Sequence, residues 1–378
     1  MIAIGLMSGT SLDGIDAALV RIAPRAASYD LELLHFATVP YSTELRRELL
    51  AALPPNAGST AAVARLHRAV GVALAGAAKA IAGEIAPRFI ASHGQTVWHD
   101  GARSTTLQIG DPFVIREAVG ATVCYDFRSA DCAAGGHGAP LVPYVDALLL
   151  RDPNEDRVAL NLGGIANVTL LPRDGSVVAF DTGPANVLLD ALVAQRTGAE
   201  FDRDGAVASR GRVDGDALAA MLADPYFSAL PPKTTGRERF GAQFLAQHAA
   251  ELNKLSIEDG AATLTELTAA TIADAVTRYG FTPARVIVSG GGARNRTLLD
   301  RLSAHFGGAA MELSDRHGLP ADAKEAIAFV VLGYEALRER VGNVPAATGA
   351  SHPAVLGAIA PHGLSGLLRD VERECADS

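Results

Sequence analysis

Residues 2–22 (IAIGLMSGTSLDGIDAALVRI) and 158–171 (VALNLGGIANVTLL) share one outline: an apolar strand, a glycine-rich turn and a second apolar strand. A chain that opens twice in this way reads as two related halves. Elsewhere short apolar strands alternate with longer helical patterns, which points to an α/β architecture. Strands are expected over 2–6, 15–22, 88–92, 123–125, 158–171, 177–180 and 285–289, with glycine breaking the 158–171 run. Helices are expected over 60–83, 185–196, 263–279, 296–305 and 323–340, with Thr263 and Glu266 as a capping box for the third. The 378 residues allow two or three domains. The expected division is 1–130 and 131–378, with the C-terminal helix able to complete the first domain. The stretch 133–140 (AAGGHGAP) near that boundary reads as a hinge or a site loop.

Composition narrows the function classes. Apolar residues are 49% and charged residues 20%, which excludes a disordered or fibrous chain. Lys plus Arg is 33 against 42 Asp plus Glu, a formal charge of −9, and no basic block interrupts it. A nucleic-acid or anionic-membrane binder is not expected, so an anionic ligand must be held locally. Three cysteines (Cys124, Cys132, Cys375) without a C-x-x-C pair indicate neither a disulfide framework nor structural zinc. The N-terminus does not read as a signal peptide, and no run of 18 apolar residues predicts a membrane span. A cytoplasmic enzyme is the expectation.

Four glycine-rich or acidic turns carry the candidate chemistry. The first is Ser8-Gly9-Thr10-Ser11-Leu12-Asp13-Gly14-Ile15-Asp16. A glycine turn between strands directs backbone N–H groups outward, where they donate to phosphate oxygens, and the Thr10 and Ser11 hydroxyls add donors. It is not a P-loop, because Ile15 and Asp16 stand where Lys and Ser/Thr would be. Asp13 could hold Mg²⁺ through water, or simply form the turn. The second, Asn161-Leu162-Gly163-Gly164, repeats the nest in the other half. The third, Asp181-Thr182-Gly183-Pro184, places a carboxylate at a strand end, suited to a general base or to a helix N-cap. In the fourth, Gly290-Gly291-Gly292-Ala293-Arg294-Asn295, bare backbone could lie against a nucleoside or form a flexible turn.

A further group, His93, Gln95, Asp126, Arg128 and His137, is polar and falls at strand ends. Such residues can orient a polar substrate, although a lone histidine is more often a structural hydrogen-bonder. Glu325 can serve as a first-turn helix acid or as a substrate acceptor. No G-x-S-x-G elbow is present, and the cysteines read as small buried apolar residues.

Taken together, GLMSGTSLDGID (5–16), SHGQTVWH (92–99), QIGDP (108–112), DFRSAD (126–131), GGHGAPLVP (135–143), LNLGGIAN (160–167), FDTGPAN (180–186), PKTTGRERF (232–240), SGGGARN (289–295) and PADAKEAIAF (320–329) resemble the anhydro-N-acetylmuramic acid kinase family along essentially the whole chain. The resemblance implies two related actin-like, ribonuclease-H-like α/β domains of the sugar kinase/Hsp70/actin superfamily, with an ATP cleft between them. It implies a magnesium- and ATP-dependent kinase of peptidoglycan recycling. The substrate would be a small amino sugar, 1,6-anhydro-N-acetylmuramic acid, and the enzyme a homodimer. By resemblance, residues 9–16 bind the ATP phosphates with Gly163 and Gly164. Gly290, Gly291, Gly292 and Asn295 would face the adenosine, Asp13 would hold the metal, and Asp181 would be the catalytic base. His93, Gln95, Asp126, Arg128, His137 and Glu325 would contact the sugar. Two alternatives stay open: an ordinary hexose or N-acetylhexosamine kinase of the same superfamily, and a nucleotide-gated binding module.

Overall fold

The computed structural model describes residues 1–9, 12, 14–53, 56 and 58–376. The chain divides into two compact units, Met1–Leu149 with Ala323–Ser378, and Leu150–Asp322. The boundary expected at 130/131 thus falls inside the first unit, and the chain returns to that unit well before its last helix. The reason is local: the helix Lys324–Leu337, buried along nearly its whole length, lies against the first sheet.

The strands of the first unit are β1 (Ile2–Ser8), β2 (Gly14–Arg25), β3 (Ser28–Pro40), β4 (Phe89–Asp100), β5 (Thr105–Ile109) and β6 (Thr122–Tyr125). Those of the second are β7 (Arg157–Leu162), β8 (Ile165–Leu171), β9 (Val178–Pro184), β10 (Arg285–Ser289) and β11 (Ala310–Leu313); β12 (Ala358–Ala360) belongs to the first. The sheet orders are β12-β6-β4-β1-β2-β3, with β5 on β4, and β11-β10-β7-β8-β9. In each unit the first three strands form an antiparallel meander, and two later strands add in parallel on the other side of the first. The two cores, β3-β2-β1-β4-β6 and β9-β8-β7-β10-β11, therefore have the same order and the same directions. The duplication read from the two glycine turns is a duplication of topology.

Each sheet buries its faces under helices. In the first unit the helix Thr60–Ala82 sets Leu66, Val70 and Leu74 into a core with Ile4, Leu6, Leu19 and Ile90. Burying side chains of this size is worth roughly 1.5–3 kcal/mol each. This helix has the length and hydropathy of a membrane span, but its apolar face is spent on the sheet. On the opposite helix, packing is set by Gly5: a Cβ there would lie 1.9 Å from the Ala326 carbonyl oxygen, so only glycine lets β1 touch this backbone. In the second unit the helix Ile257–Arg278 covers the sheet. It starts a turn and a half earlier than the expected 263. Ser256 caps it by accepting from the Asp259 N–H, whereas Thr263 is buried in its interior and donates to the Asp259 carbonyl. Glu266 pairs with Arg301 and His305 instead, so the apparent capping box does not form.

Candidate active site

At the end of β1, the Ser8 hydroxyl donates to Gln95 Oε1 at 2.6 Å and receives the Tyr41 hydroxyl at 2.8 Å. All three residues are buried. The Gln95 amide nitrogen donates to the Thr96 carbonyl. Gln95, expected at the substrate, is therefore a completely buried brace beneath the first glycine turn. Within that turn Leu12 takes a left-handed φ of 55° with its side chain in the core, and its carbonyl accepts from Arg46 Nε at 2.9 Å. Arg46 carried no motif. Thr10, Ser11 and Asp13 lie outside the described residues. Gly9 precedes them; Gly14, Ile15 and Asp16 already belong to β2, with Ile15 in the core. Ile15 can offer a ligand its backbone only. Asp16 accepts from the Thr38 hydroxyl at 2.6 Å.

His93 and Arg128 form a pair. Arg128 Nε can only donate, so His93 Nε2 accepts it at 3.0 Å, and His93 Nδ1–H donates to the Gly94 carbonyl. Burial, aided by the Arg128 charge, pushes the His93 pKa down to about 3, so the ring is neutral. His93 is correspondingly a buried support for the guanidinium, where a substrate contact was expected. Arg128 also donates to the Gly138 carbonyl at 2.7 Å and is drawn electrostatically to Glu325. Glu325 itself keeps solvent contact, yet the surrounding protein and then Asp16 raise its pKa.

The His137 loop hangs on a residue for which no role was expected. Asp131 is fully buried; it accepts from the Gly138 N–H, the Asn343 amide and the Thr348 hydroxyl at 2.6–2.8 Å. Gly136 touches the same carboxylate so closely that a Cβ would lie 2.2 Å from Oδ2. The His137 imidazole is left exposed, while the backbone N–H of His137 donates to the Thr348 carbonyl. Asp126, with φ 54°, accepts from the Ser129 hydroxyl and N–H.

In the second unit three motifs converge. The Gly163 and Gly164 carbonyls accept from the N–H groups of Ala185, Asn186 and Val187, and the Asn186 amide reinforces Gly163. In a trans peptide the C=O and N–H point in opposite directions, so the Gly164 and Ile165 N–H groups face away from this segment, as an anion nest requires. Gly290 (φ 82°) and Gly292 press on the same turn: added Cβ atoms would lie 2.7 Å from Asn161 Oδ1 and from Leu162 Cβ. Gly291 alone of the three has open space. Asn295 is instead the N-cap of the helix Arg296–His305; its Oδ1 accepts the Leu298 N–H, and the residue is buried. It holds the turn in place, where a nucleotide contact was expected.

Asp181 lies inside β9, opposite Asn167. It is not a helix cap, since Ala185 occupies that position in the next helix. Its Oδ2 accepts from the Thr234 hydroxyl at 2.8 Å and the Thr235 N–H at 2.9 Å. The Tyr226 hydroxyl and the Lys233 carbonyl grip its backbone. Burial raises its pKa; the two bonds to Oδ2 oppose this. Among the described residues nothing donates to Oδ1, which leaves one oxygen able to take a proton. Thr234 and Thr235 belong to the 232–240 motif, the one signal that could have placed them here.

The model of the anhydro-N-acetylmuramic acid kinase family matches residues 1–362. The chain belongs to the anhydro-N-acetylmuramic acid kinase family. It is 48% identical to an anhydro-N-acetylmuramic acid kinase of Xanthomonas axonopodis pv. citri over 95% of this chain and 97% of that one. A kinase of the same name from Streptomyces avermitilis is 47% identical over 95% and 94%, and one from Caldanaerobacter subterraneus subsp. tengcongensis 40% over 94% and 96%. Among solved structures, the activator of 2-hydroxyisocaproyl-CoA dehydratase from Clostridium difficile covers 91% of this chain at 15% identity with a TM-score of 0.42.

Proposed function

We propose that this kinase opens 1,6-anhydro-N-acetylmuramic acid with water and phosphorylates O6 from ATP, giving N-acetylmuramic acid 6-phosphate and ADP. The observation that carries the mechanism is Asp181, held through one oxygen and free at the other. The substrate has no free 6-hydroxyl, because O6 is bonded to C1. Asp181 Oδ1 takes a proton from water as that water attacks C1. The C1–O6 bond breaks, O6 attacks the γ-phosphorus, and ADP leaves. Ring strain favours opening, and each half-step supplies what the other needs. The remaining catalysis is positioning and charge neutralisation.

The phosphate-binding role falls to Gly9–Asp16, Gly163 and Gly164, and the adenosine role to Gly290–Gly292, with Gly291 the position that a ligand can approach. Among the described residues no cluster of three metal-ligating side chains exists. That fits Mg²⁺, which is usually held by one or two carboxylates, water and substrate phosphates. When bound, it would neutralise charge on the phosphates; Asp13 or Asp16 would supply its carboxylate. Arg128, His137, Asp126 and Glu325 are the sugar-binding set, with His93 and Gln95 as supports. A cytoplasmic homodimer acting in peptidoglycan recycling is the setting that goes with this reading.

The test is a reaction with Mg-ATP and the anhydro sugar in ¹⁸O-water, read by mass spectrometry before anomeric exchange. A 6-phosphate with ¹⁸O at C1 is expected. Phosphorylation only of sugars that carry a free 6-hydroxyl, without water incorporation, would replace this reading with an ordinary hexose kinase.

A further inference from the structure

The segment 232–240 carries three cations, Lys233, Arg237 and Arg239. Two of them are engaged within the second unit. Lys233 Nζ donates to the Tyr226 carbonyl at 3.2 Å and lies over the Tyr226 ring. Arg239 pairs with Asp224 and also lies over that ring. Arg237 differs from both. It is exposed, and among the described residues its guanidinium makes no hydrogen bond or ion pair. Asp190 attracts it electrostatically without a bond.

The place of Arg237 is set from both sides. Upstream, Thr234 and Thr235 bind Asp181 Oδ2. Downstream, Phe240 is completely buried and stacks on Phe227 with ring centroids 5.2 Å apart. Between these anchors the Gly236 carbonyl accepts the Arg239 and Phe240 N–H groups at 3.2 and 3.0 Å. Gly241 closes the turn: a Cβ there would lie 2.3 Å from the Arg237 carbonyl oxygen. The turn brings the guanidinium to Gly164, where an added Cβ would lie 3.8 Å from Arg237 Nη2 and 3.9 Å from Nε. The Gly164 N–H is one of the two that face away from the 185–187 segment. An unpaired cation thus stands beside a backbone nest suited to anions, in a chain whose formal charge of −9 draws no anion from afar. A surface arginine without a partner is ordinary in itself. This one is placed by the same loop that holds the proton acceptor on β9.

We propose that Arg237 is a catalytic residue that binds the γ-phosphoryl group of ATP during its transfer to O6. The inference rests on the kinase reading above and adds the cation that the glycine turns lack. As the phosphoryl group moves, charge spreads over its three equatorial oxygens. A planar guanidinium meets two of them with parallel N–H donors, which the point charge of a lysine does not reproduce. Arg237 stays protonated throughout. The bond formed is O6–P, the bond broken is the one from γ-phosphorus to ADP, and the proton balance remains with Asp181. With Thr234 on the base and Arg237 on the phosphoryl group, one short loop orients both ends of the reaction.

The experiment measures kcat and KM for Mg-ATP with the anhydro sugar, together with ADP affinity. Wild-type protein, Arg237→Ala and Arg237→Lys are compared, each checked for folding by its thermal transition. Arg237→Ala should lower kcat about 10³-fold, the lower end of what an arginine acting on a transferred phosphoryl group supplies. ADP has no γ-phosphate, so its affinity should hold within a fewfold. Arg237→Lys should recover only part of the loss. Ethylguanidinium in solution should raise the turnover of Arg237→Ala saturably and leave wild type unchanged, a response that a merely structural arginine would not give. A kcat within a fewfold of wild type, or a rise in KM for ATP alone, overturns the assignment. So does a fall in kcat that accompanies a lowered thermal transition and that ethylguanidinium does not relieve. If wild type phosphorylates only sugars with a free 6-hydroxyl, the proposed function fails, and the same comparison on that sugar decides the role of Arg237 by itself. Wild-type protein that transfers phosphate to no sugar overturns both.

Discussion

The hydroxyl of Thr234 donates to Oδ2 of Asp181 at 2.8 Å, so a loop residue far along the chain favours the ionised form of the carboxylate on β9 against the burial that raises its pKa. Asp181→Asn removes the proton acceptor while keeping the shape of the side chain. Turnover should fall about 10²–10⁴-fold, the usual worth of a general base, with ATP affinity held within a fewfold. Steady-state kinetics with nucleotide titration checks both.

Thr234→Val tests the same bond through pH. Burial holds the Asp181 pKa above its ordinary value of 3.8, and the Thr234 bond lowers it by favouring the ionised form. Without that bond the pKa rises further. The acid limb of kcat/KM should therefore move to higher pH, with activity recovering on the alkaline side. A loss of activity with an unmoved limb would make Thr234 merely structural.

The glycine triplet separates packing from ligand contact. Gly290→Ala must hold φ 82° and bring a Cβ within 2.7 Å of Asn161 Oδ1 and 2.8 Å of the Leu162 carbonyl. A destabilisation of about 2–4 kcal/mol is expected by urea unfolding. Gly291→Ala meets nothing within 4 Å. It should unfold like wild type and raise KM for ATP, because the added methyl enters the space assigned to the nucleoside.

Why some of this was legible in the sequence and some not follows from range. Arg285–Ser289 and Arg296–His305 match their expected bounds because a β-branched run, a glycine turn and an Asn cap are local signals. The paired topologies were legible because both glycine turns sit between strands that must bury the same face. The strand Ser28–Pro40 was missed: its residues alternate between half-buried and exposed on an edge, so no apolar run marks it. The supports of the site were missed for the opposite reason. Asp131 reaches Asn343 and Thr348 across more than 200 residues, and Thr234 reaches Asp181 across 53; no spacing encodes those bonds. His93 and Gln95 were legible as polar residues in a site motif. Their demotion to supports depends on partners, Arg128 and Ser8, that only the fold supplies.

Asp131→Ala should be the most damaging change outside the catalytic group. It strips acceptors from the Gly138 N–H, the Asn343 amide and the Thr348 hydroxyl, all within the interior. Hydrogen bonds to a charged group are worth about 1.5–3 kcal/mol, and the stranded donors add to the loss. A destabilisation of about 3–5 kcal/mol is expected by urea unfolding, with KM for the sugar raised through the loosened His137 loop. Asp131→Asn should recover only part of this, because its amide end places donors against donors.

Asp190 supplies a pH dependence whose sign can be worked out. It lies on the helix Asn186–Thr197, where burial raises its carboxyl from 3.8 to about 6; Arg237 opposes the rise and Asp202 adds to it. Between these values the folded state holds a proton that the unfolded chain has released. Stability therefore falls as pH climbs from about 4 to about 6 and is level above that. The full loss is at most roughly 3 kcal/mol, from 1.36 kcal/mol per pKa unit, and less where solvent screens the group. Asp190→Asn cannot ionise and removes this slope. Its stability relative to wild type should grow across pH 4–6 and stay constant to pH 8, less whatever Arg237 loses by giving up its acidic neighbour. Urea unfolding at pH 4.5, 6 and 7.5 distinguishes this from a simple packing change, which would shift all three by the same amount.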